Sequence, residues 1–215
     1  MRMMFPEYYP LSEKKISALW NKCIFTLDAN VLLSIYRYTP ETRDSLFKVL
    51  QKLKSRVWIT HQAALEYQDN RLGVIAEKER DYKTIKDCLD KKDKEIKHDL
   101  ENTRHPYINR EKIHKEITKV FKKIIKELDE IKDKHPKLLE KDTLREEIES
   151  LLRGKVSKPY SSKRLREIYE EGEKRYEEEL PPGFKDNKKP GKKDFGDLII
   201  WFQIIDKAKQ RKSPV

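Results

Sequence analysis

The chain has 215 residues, 40% of them charged and 36% hydrophobic, and 49 Lys and Arg against 38 Asp and Glu give a formal net charge of +11. This length allows one compact domain with an elaboration, and the positive excess favours a polyanionic partner, either nucleic acid or an anionic membrane surface. The sequence excludes a membrane-spanning helix, which needs roughly 20 apolar residues, and its N-terminus lacks the apolar stretch of a signal peptide. With only Cys23 and Cys88, we expect a cytoplasmic protein whose thiols are free.

Residues 1–70 have the pattern of an α/β unit. Apolar and β-branched runs at Cys23–Leu27 and Val57–Ile59 predict two strands. Thr39 followed by Pro40 predicts the start of the helix between them, and Thr60 is expected to cap the helix after the second strand. The order strand, helix, strand, helix predicts a parallel sheet.

Residues 71–180 are dominated by charged side chains and are predicted to form a helical insertion in the α/β core. Thin apolar stripes at steps of three and four predict two arms of an antiparallel coiled-coil hairpin, each about 40 Å long at 1.5 Å per residue. Pro106 and Pro136 are expected to end the arms. The stripe of the second arm consists of Ile113, Ile117, Val120, Ile124, Leu128 and Ile131.

Residues 181–215 are predicted to return to the core. The apolar run Leu198–Ile205 indicates a helix, and both Trp58 and Trp201 are expected in the core. The positive excess of the chain is densest here, and a cluster of lysines lies just before Asp197, where it could hold phosphates or simply form a solvated linker. These lysines are Lys185, Lys188, Lys189, Lys192 and Lys193.

Acidic residues follow both predicted strands and begin the final helix. Asp28 and Asn30 follow the first strand, Glu66 lies in the helix after the second, and Asp197 opens the last helix with Asp194 three residues before it. Open parallel sheets place their sites at the carboxyl ends of the strands. Carboxylate oxygens are the ligands of Mg²⁺ and Mn²⁺, so these residues are candidates for a metal site.

Each acid also has a structural alternative. Asp28 can be a helix N-cap, Glu66 an exposed helix residue and Asp197 a first-turn acid that complements the helix dipole. Asp194 is expected to be an N-cap more than a ligand.

Three short segments in this order carry a resemblance to a known family. They are Thr26-Leu-Asp28-Ala-Asn30-Val-Leu-Leu, Thr60-His-Gln-Ala-Ala-Leu-Glu66 and Gly196-Asp197-Leu-Ile-Ile-Trp, with a Pro-Pro-Gly-Phe-Lys-Asp loop starting at Pro181. Together they closely resemble the acidic motifs of PIN-like domains, most of all the bacterial group with a long helical insertion between the second and third motifs.

The resemblance implies a three-layer α/β/α fold around a central parallel sheet and divalent-metal-dependent cleavage of nucleic acid, RNA more than DNA. It implies that Asp28, Glu66 and Asp197 hold Mg²⁺ or Mn²⁺, and that Asn30 orients Asp28 or a metal-bound water. It further suggests a toxin-like or phage-defence effector. In the family a fourth acid follows a final strand, which residues 181–215 are expected to lack.

Two other functions stay open. The chain can be a non-catalytic module whose hairpin docks a partner protein or self-associates, or a nucleic-acid binder that works through residues 181–193.

Overall fold

The computed structural model describes residues 1–184 and 195–211. Most of these residues are helical, and two short strands interrupt the helices near the N-terminus. The helices are α1 (Glu13–Lys22), α2 (Ala29–Ser34), α3 (Pro40–Lys52), α4 (His61–Asn102), α5 (Arg110–Lys134), α6 (Thr143–Leu152), α7 (Ser162–Glu177) and α8 (Gly196–Arg211), with 3₁₀ turns at Pro6–Tyr8 and Lys54–Arg56. The strands are β1 (Phe25–Thr26) and β2 (Val57–Trp58).

The two strands pair in parallel, with Phe25 opposite Val57 and Thr26 opposite Trp58. A third segment joins β2, because the amide of Ile59 donates to the carbonyl of Lys155 (3.1 Å) and the amide of Ser157 donates to the carbonyl of Ile59 (3.0 Å). The chain therefore has the predicted α/β character with parallel pairing, although the strands among the described residues are short.

Several helices begin where the sequence predicts. The Thr39 hydroxyl accepts from the amide of Thr42 (3.4 Å) and Pro40 occupies the first turn of α3. Hydrogen bonds from the backbone, and then from Thr39, lower the pKa of Glu41 in the same turn. At the start of α4 the Thr60 hydroxyl accepts from the amide of Ala63 (3.1 Å). These caps satisfy amides that have no partner within their helix.

The chain divides into two compact units. The first consists of Met1–Asn70 with Arg145–Val215, and the second of Arg71–Leu144. The sequence predicts an insertion over residues 71–180, whereas the first unit also includes α7 and most of α6. These charged helices nevertheless bury apolar side chains, which are Ile148, Leu151, Leu152, Ile168 and Tyr176.

The core of the first unit contains side chains from both parts of this unit. Ile35, Ile59, Ile168 and Leu198 are fully buried. Trp58 is buried as predicted, but the prediction for Trp201 is wrong, because 48% of this side chain is exposed. The run Leu198–Ile205 is apolar on most sides of its helix. Its composition therefore does not show which side packs into the core and which side, with Trp201, faces solvent.

The second unit contains an antiparallel pair of helical arms. Lys86 forms an ion pair with Asp129, and Asp93 accepts from the Thr118 hydroxyl (2.8 Å), so residues later in α4 meet residues earlier in α5. Arg71 and Asp142 form a further, largely buried ion pair.

The residues between the arms differ in part from the predicted stripe. The half-buried positions of α5 are His114, Ile117, Thr118, Phe121, Ile125, Leu128 and Asp129. The prediction is right for Ile117 and Leu128 but wrong for four other members of the stripe, which are exposed: Ile113, Val120, Ile124 and Ile131. α5 carries two adjacent apolar faces, and the spacing of its apolar residues alone does not show which face packs against α4.

Within residues 1–184 and 195–211, none of the helices combines the length and the apolar character that crossing a membrane requires.

Candidate metal centre

Asp28 lies at the carboxyl end of β1, where it caps α2. Its Oδ1 accepts from the amide of Ala29 (2.8 Å) and its Oδ2 accepts from Nδ2 of Asn30 (3.0 Å). The N-cap alternative is thus observed. A carboxylate oxygen accepts more than one hydrogen bond, and Asp28 is exposed, so both oxygens keep capacity for a further partner.

Thr26 precedes Asp28 by two positions. Side chains two apart in an extended chain lie on the same side of it. The Thr26 hydroxyl oxygen is buried and has no hydrogen-bond partner among the described residues. A buried hydroxyl without a partner is destabilising, so Thr26 contributes an unsatisfied polar group to the first acidic motif.

Glu66 lies in the second turn of α4, which follows β2. Because β1 and β2 are parallel, the start of α4 and Asp28 come after the same edge of the sheet. Glu66 is half-buried, and its Oε1 accepts from Nε2 of Gln62 (2.9 Å). This hydrogen bond orients the carboxylate from one turn away.

Gln62 also connects this helix to α8. Its backbone amide donates to Oε1 of Gln203 (3.2 Å), and Gln203 is buried. Gln203 lies six residues after Asp197 on α8, which corresponds to about 9 Å along a helix. Gln62 thus orients the Glu66 side chain and also connects α4 to α8, the helix that carries Asp197.

Asp197 is exposed in the first turn of α8, and Gly183 lies directly against it. A Cβ built on Gly183 would lie 3.1 Å from Cβ and 3.4 Å from Oδ2 of Asp197, and 2.6 Å from the hydroxyl oxygen of the buried Tyr176. Gly183 also has φ of +84°, a conformation that favours glycine. The loop before α8 therefore approaches the Asp197 carboxylate at a place where no side chain fits.

The start of α8 is held by aromatic packing. The Phe195 ring stacks on Tyr169 (5.5 Å between centroids) and contacts Tyr176 (5.0 Å). Gly172 of α7 faces the same ring, since a Cβ there would lie 2.5 Å from it. The absence of a side chain at Gly172 lets α7 approach α8, and this packing positions Asp197 two residues after Phe195.

The three carboxylates suit Mg²⁺ or Mn²⁺ by donor type, and the Thr26 hydroxyl close to Asp28 in sequence has no protein partner among the described residues. The structure does not, however, bring them into one cluster: in the part of the chain that it describes, no three His, Cys, Asp or Glu side chains are grouped as a metal ion would require. Asp194 and the five candidate phosphate-binding lysines lie outside the described residues.

Four residues near the candidate site were not predicted from the sequence. Gln62 stands four residues before Glu66, a spacing at which helical side chains meet. The sequence therefore contains a pattern that indicates the hydrogen bond between these two side chains. For Gln203 and Tyr176 no local pattern points to the acids. Gly183 lies in the Pro-Pro-Gly-Phe-Lys-Asp loop that accompanies the acidic motifs, but no pattern indicates its contact with Asp197.

A comparison with families of known proteins matches residues 24–215 to a model described as a PIN like domain. No curated protein and no solved structure matches the chain.

Proposed function

The chain belongs to the PIN-like domain family, and on this basis we propose that it is a divalent-metal-dependent nuclease whose metal ligands are Asp28, Glu66 and Asp197. Proteins with PIN domains are generally nucleases that use Mg²⁺ or Mn²⁺. The proposal includes the three-layer α/β/α core of the family, with Asp194 as a further ligand and RNA as the favoured substrate.

The observation that supports the proposal is the position of Asp28 and Glu66 after two parallel strands, together with the hydrogen bond that ties the Glu66 helix to the helix of Asp197. Asp28 follows β1, Glu66 lies in the helix that follows β2, and Gln62 links that helix to α8 through Gln203. Acidic residues that follow the carboxyl ends of parallel strands, as Asp28 and Glu66 do, lie where open parallel sheets place their sites.

Each candidate ligand has a neighbour that orients it. Asn30 fixes the Asp28 carboxylate, Gln62 fixes Glu66, and the backbone of Gly183 lies directly against Asp197. When bound, the divalent ion supplies a nucleophilic water at neutral pH and neutralises charge on the phosphate. The lysines at 185, 188, 189, 192 and 193, which precede Asp197 in the sequence, would attract the phosphate backbone.

A nuclease assay with Mn²⁺ or Mg²⁺ on single-stranded RNA and DNA tests the proposal. We expect Asp28→Asn, Glu66→Gln and Asp197→Asn each to lower kcat/KM at least about a hundredfold, the scale on which loss of one preorganised electrostatic group slows an enzyme. Asp44→Asn, which removes an exposed carboxylate from α3, is the matched control. Equal cleavage by all five proteins, or cleavage that persists in EDTA, would overturn the assignment.

The suggested role as a toxin-like or phage-defence effector has its own test. Expression in bacterial cells should arrest growth with the wild type and not with Asp28→Asn. Normal growth with both proteins would argue against toxicity.

The second candidate function is a non-catalytic PIN-like module that docks a protein or binds nucleic acid through residues 181–193. The exposed apolar residues of α5 favour it. It predicts that charge reversals along residues 113–131 abolish function, that replacing Asp28 changes nothing, and that nucleic-acid binding survives EDTA but weakens in salt.

A further inference from the structure

Helix α5 carries an exposed row of large aliphatic side chains on the face next to the one that packs against α4. The row consists of Ile113 (41% exposed), Val120 (56%), Ile124 (36%) and Ile131 (47%), and we call it the α5 stripe. These residues repeat at steps of seven, four and seven, the spacing of a coiled-coil face. An aliphatic face of this length is typical of an interaction surface.

The spacing of the stripe is symmetric. Its members lie nine and two residues before position 122 and two and nine residues after it. If a second α5 runs antiparallel with a twofold axis at position 122, Ile113 of one copy meets Ile131 of the other, and Val120 meets Ile124. A self-complementary patch of this kind is what a twofold interface requires.

The charges that flank the stripe agree with this arrangement. About the same axis, Lys112 lies near the level of Glu130 in the second copy, and Lys119 near that of Glu127. Opposite charges beside an apolar seam favour one orientation of the helices. Lys123 lies close to the axis and therefore close to Lys123 of the second copy. Its ion pair with Glu127 in the same chain (3.8 Å) offsets the repulsion between these two lysines.

We propose that the α5 stripe is a homodimer interface, in which the stripes of two copies of this chain pack antiparallel about position 122. We infer that the partner is a second copy of this chain, because a twofold homodimer requires a stripe whose spacing is symmetric about its centre. A partner with a different sequence would not require that symmetry. Two single helices bury less surface than the roughly 1,200 Å² of a stable interface, so the dimer is weak. The proposal concerns the second unit alone and is independent of the nuclease assignment.

Sedimentation velocity on the full chain from about 1 µM to about 1 mM, the range of weak association, tests the interface. We expect a concentration-dependent shift from monomer to dimer, and a dimer Kd raised at least about tenfold by the pair Val120→Gln and Ile124→Gln. The pair Tyr107→Gln and Leu139→Gln removes two exposed apolar side chains of the same unit outside α5 and should leave Kd unchanged. Circular dichroism checks that all variants keep their helix content. A monomer throughout, or a dimer that both pairs affect equally, would overturn the proposal.

Cross-linking tests the direction of pairing. In a background of Cys23→Ser and Cys88→Ser, a tagged copy with Ile113→Cys is mixed with an untagged copy with Ile131→Cys, and a short bismaleimide is added. The antiparallel arrangement predicts that the tagged copy joins mainly to the untagged one. A product dominated by two tagged copies would indicate parallel pairing and contradict the proposed geometry.

Discussion

Gly183 is the residue at which the loop before α8 meets the Asp197 carboxylate. Gly183→Ala would strain a backbone with positive φ and push a methyl group to 2.6 Å from the Tyr176 hydroxyl oxygen. The left-handed backbone alone costs roughly 1–2 kcal/mol, and the clash adds to it. We expect a lower free energy of unfolding in a denaturant titration and, under the nuclease proposal, lower activity, because the methyl group displaces Asp197.

Gly154 provides the matched control for this substitution. Its φ is +73°, but a Cβ there would meet nothing within 4 Å. Gly154→Ala should therefore lower the free energy of unfolding only by the cost of the left-handed backbone, and it should keep full activity. If both alanine variants behave alike, the contact of Gly183 with Asp197 has no functional consequence.

The first acidic motif shows how much of the candidate site is local. Asp28 and Asn30 are two residues apart, and the hydrogen bond between their side chains depends only on the strand-to-helix turn that the sequence predicts. Glu66 differs, because the link from its neighbour Gln62 to Gln203 joins residues 141 positions apart. No pattern within either helix indicates that contact.

At the scale of elements, the packing of α7 on α8 depends on Gly172. A Cβ at this position would lie 2.5 Å from the Phe195 ring and 3.1 Å from Leu198. Overpacking of this kind costs roughly 1–3 kcal/mol, which exceeds the gain of about 1 kcal/mol that alanine brings to a helix interior. We expect Gly172→Ala to lower Tm in a thermal melt.

Gly73 is the matching helix-interior glycine in α4. It is exposed, and a Cβ there would meet nothing within 4 Å. Gly73→Ala should accordingly raise the stability by about 0.5–1 kcal/mol through helix propensity alone. Equal shifts in Tm for the two variants would show that the Phe195 contact does not limit the approach of α7.

The C-terminal ends of the hairpin arms could be predicted, but the start of the first arm and the face along which the arms pack could not. The sequence separates this arm from the helix after Thr60, whereas α4 is one continuous helix over His61–Asn102. Pro106 and Pro136 follow the ends of α4 and α5 as expected, since proline disrupts a helix locally. The choice between the Phe121 face and the Val120 face of α5 depends on which side chains α4 presents. Polar pairs such as Lys86 with Asp129 select the register and are invisible to a search for apolar periodicity.

At the scale of the whole molecule, the net charge of +11 predicts salt-dependent binding of nucleic acid. Replacing Lys188, Lys189, Lys192 and Lys193 by Gln should lower the slope of log K against log salt by about 3, since each phosphate contact to a single strand contributes about 0.7. Fluorescence anisotropy with a labelled single-stranded RNA measures this slope.

An equal number of lysines from the second unit serves as the control. Lys91, Lys92, Lys94 and Lys97 lie on α4 among acidic neighbours, and three of them are within 4 Å of a glutamate. Their replacement by Gln should change the slope little. A similar loss of slope in both variants would mean that binding responds to total charge and not to residues 181–193.

The sequence by itself determined the features that depend on neighbouring residues. These are the helix caps, the ends of the arms, the order of strands and helices, and the three acidic motifs by which the chain resembles PIN-like domains. Each follows from backbone preferences or side-chain chemistry within a few positions.

Only the tertiary structure decided what joins distant segments. The pairing of Ile59 with Val156, the contact between Gln62 and Gln203, and the approach of Gly183 to Asp197 depend on packing. So does the choice of the buried face of α5. Local backbone preferences leave the alternative helix faces and contact partners nearly equal in free energy. Packing selects among them, because the free energy of burial depends on the shape and polarity of the opposing surface.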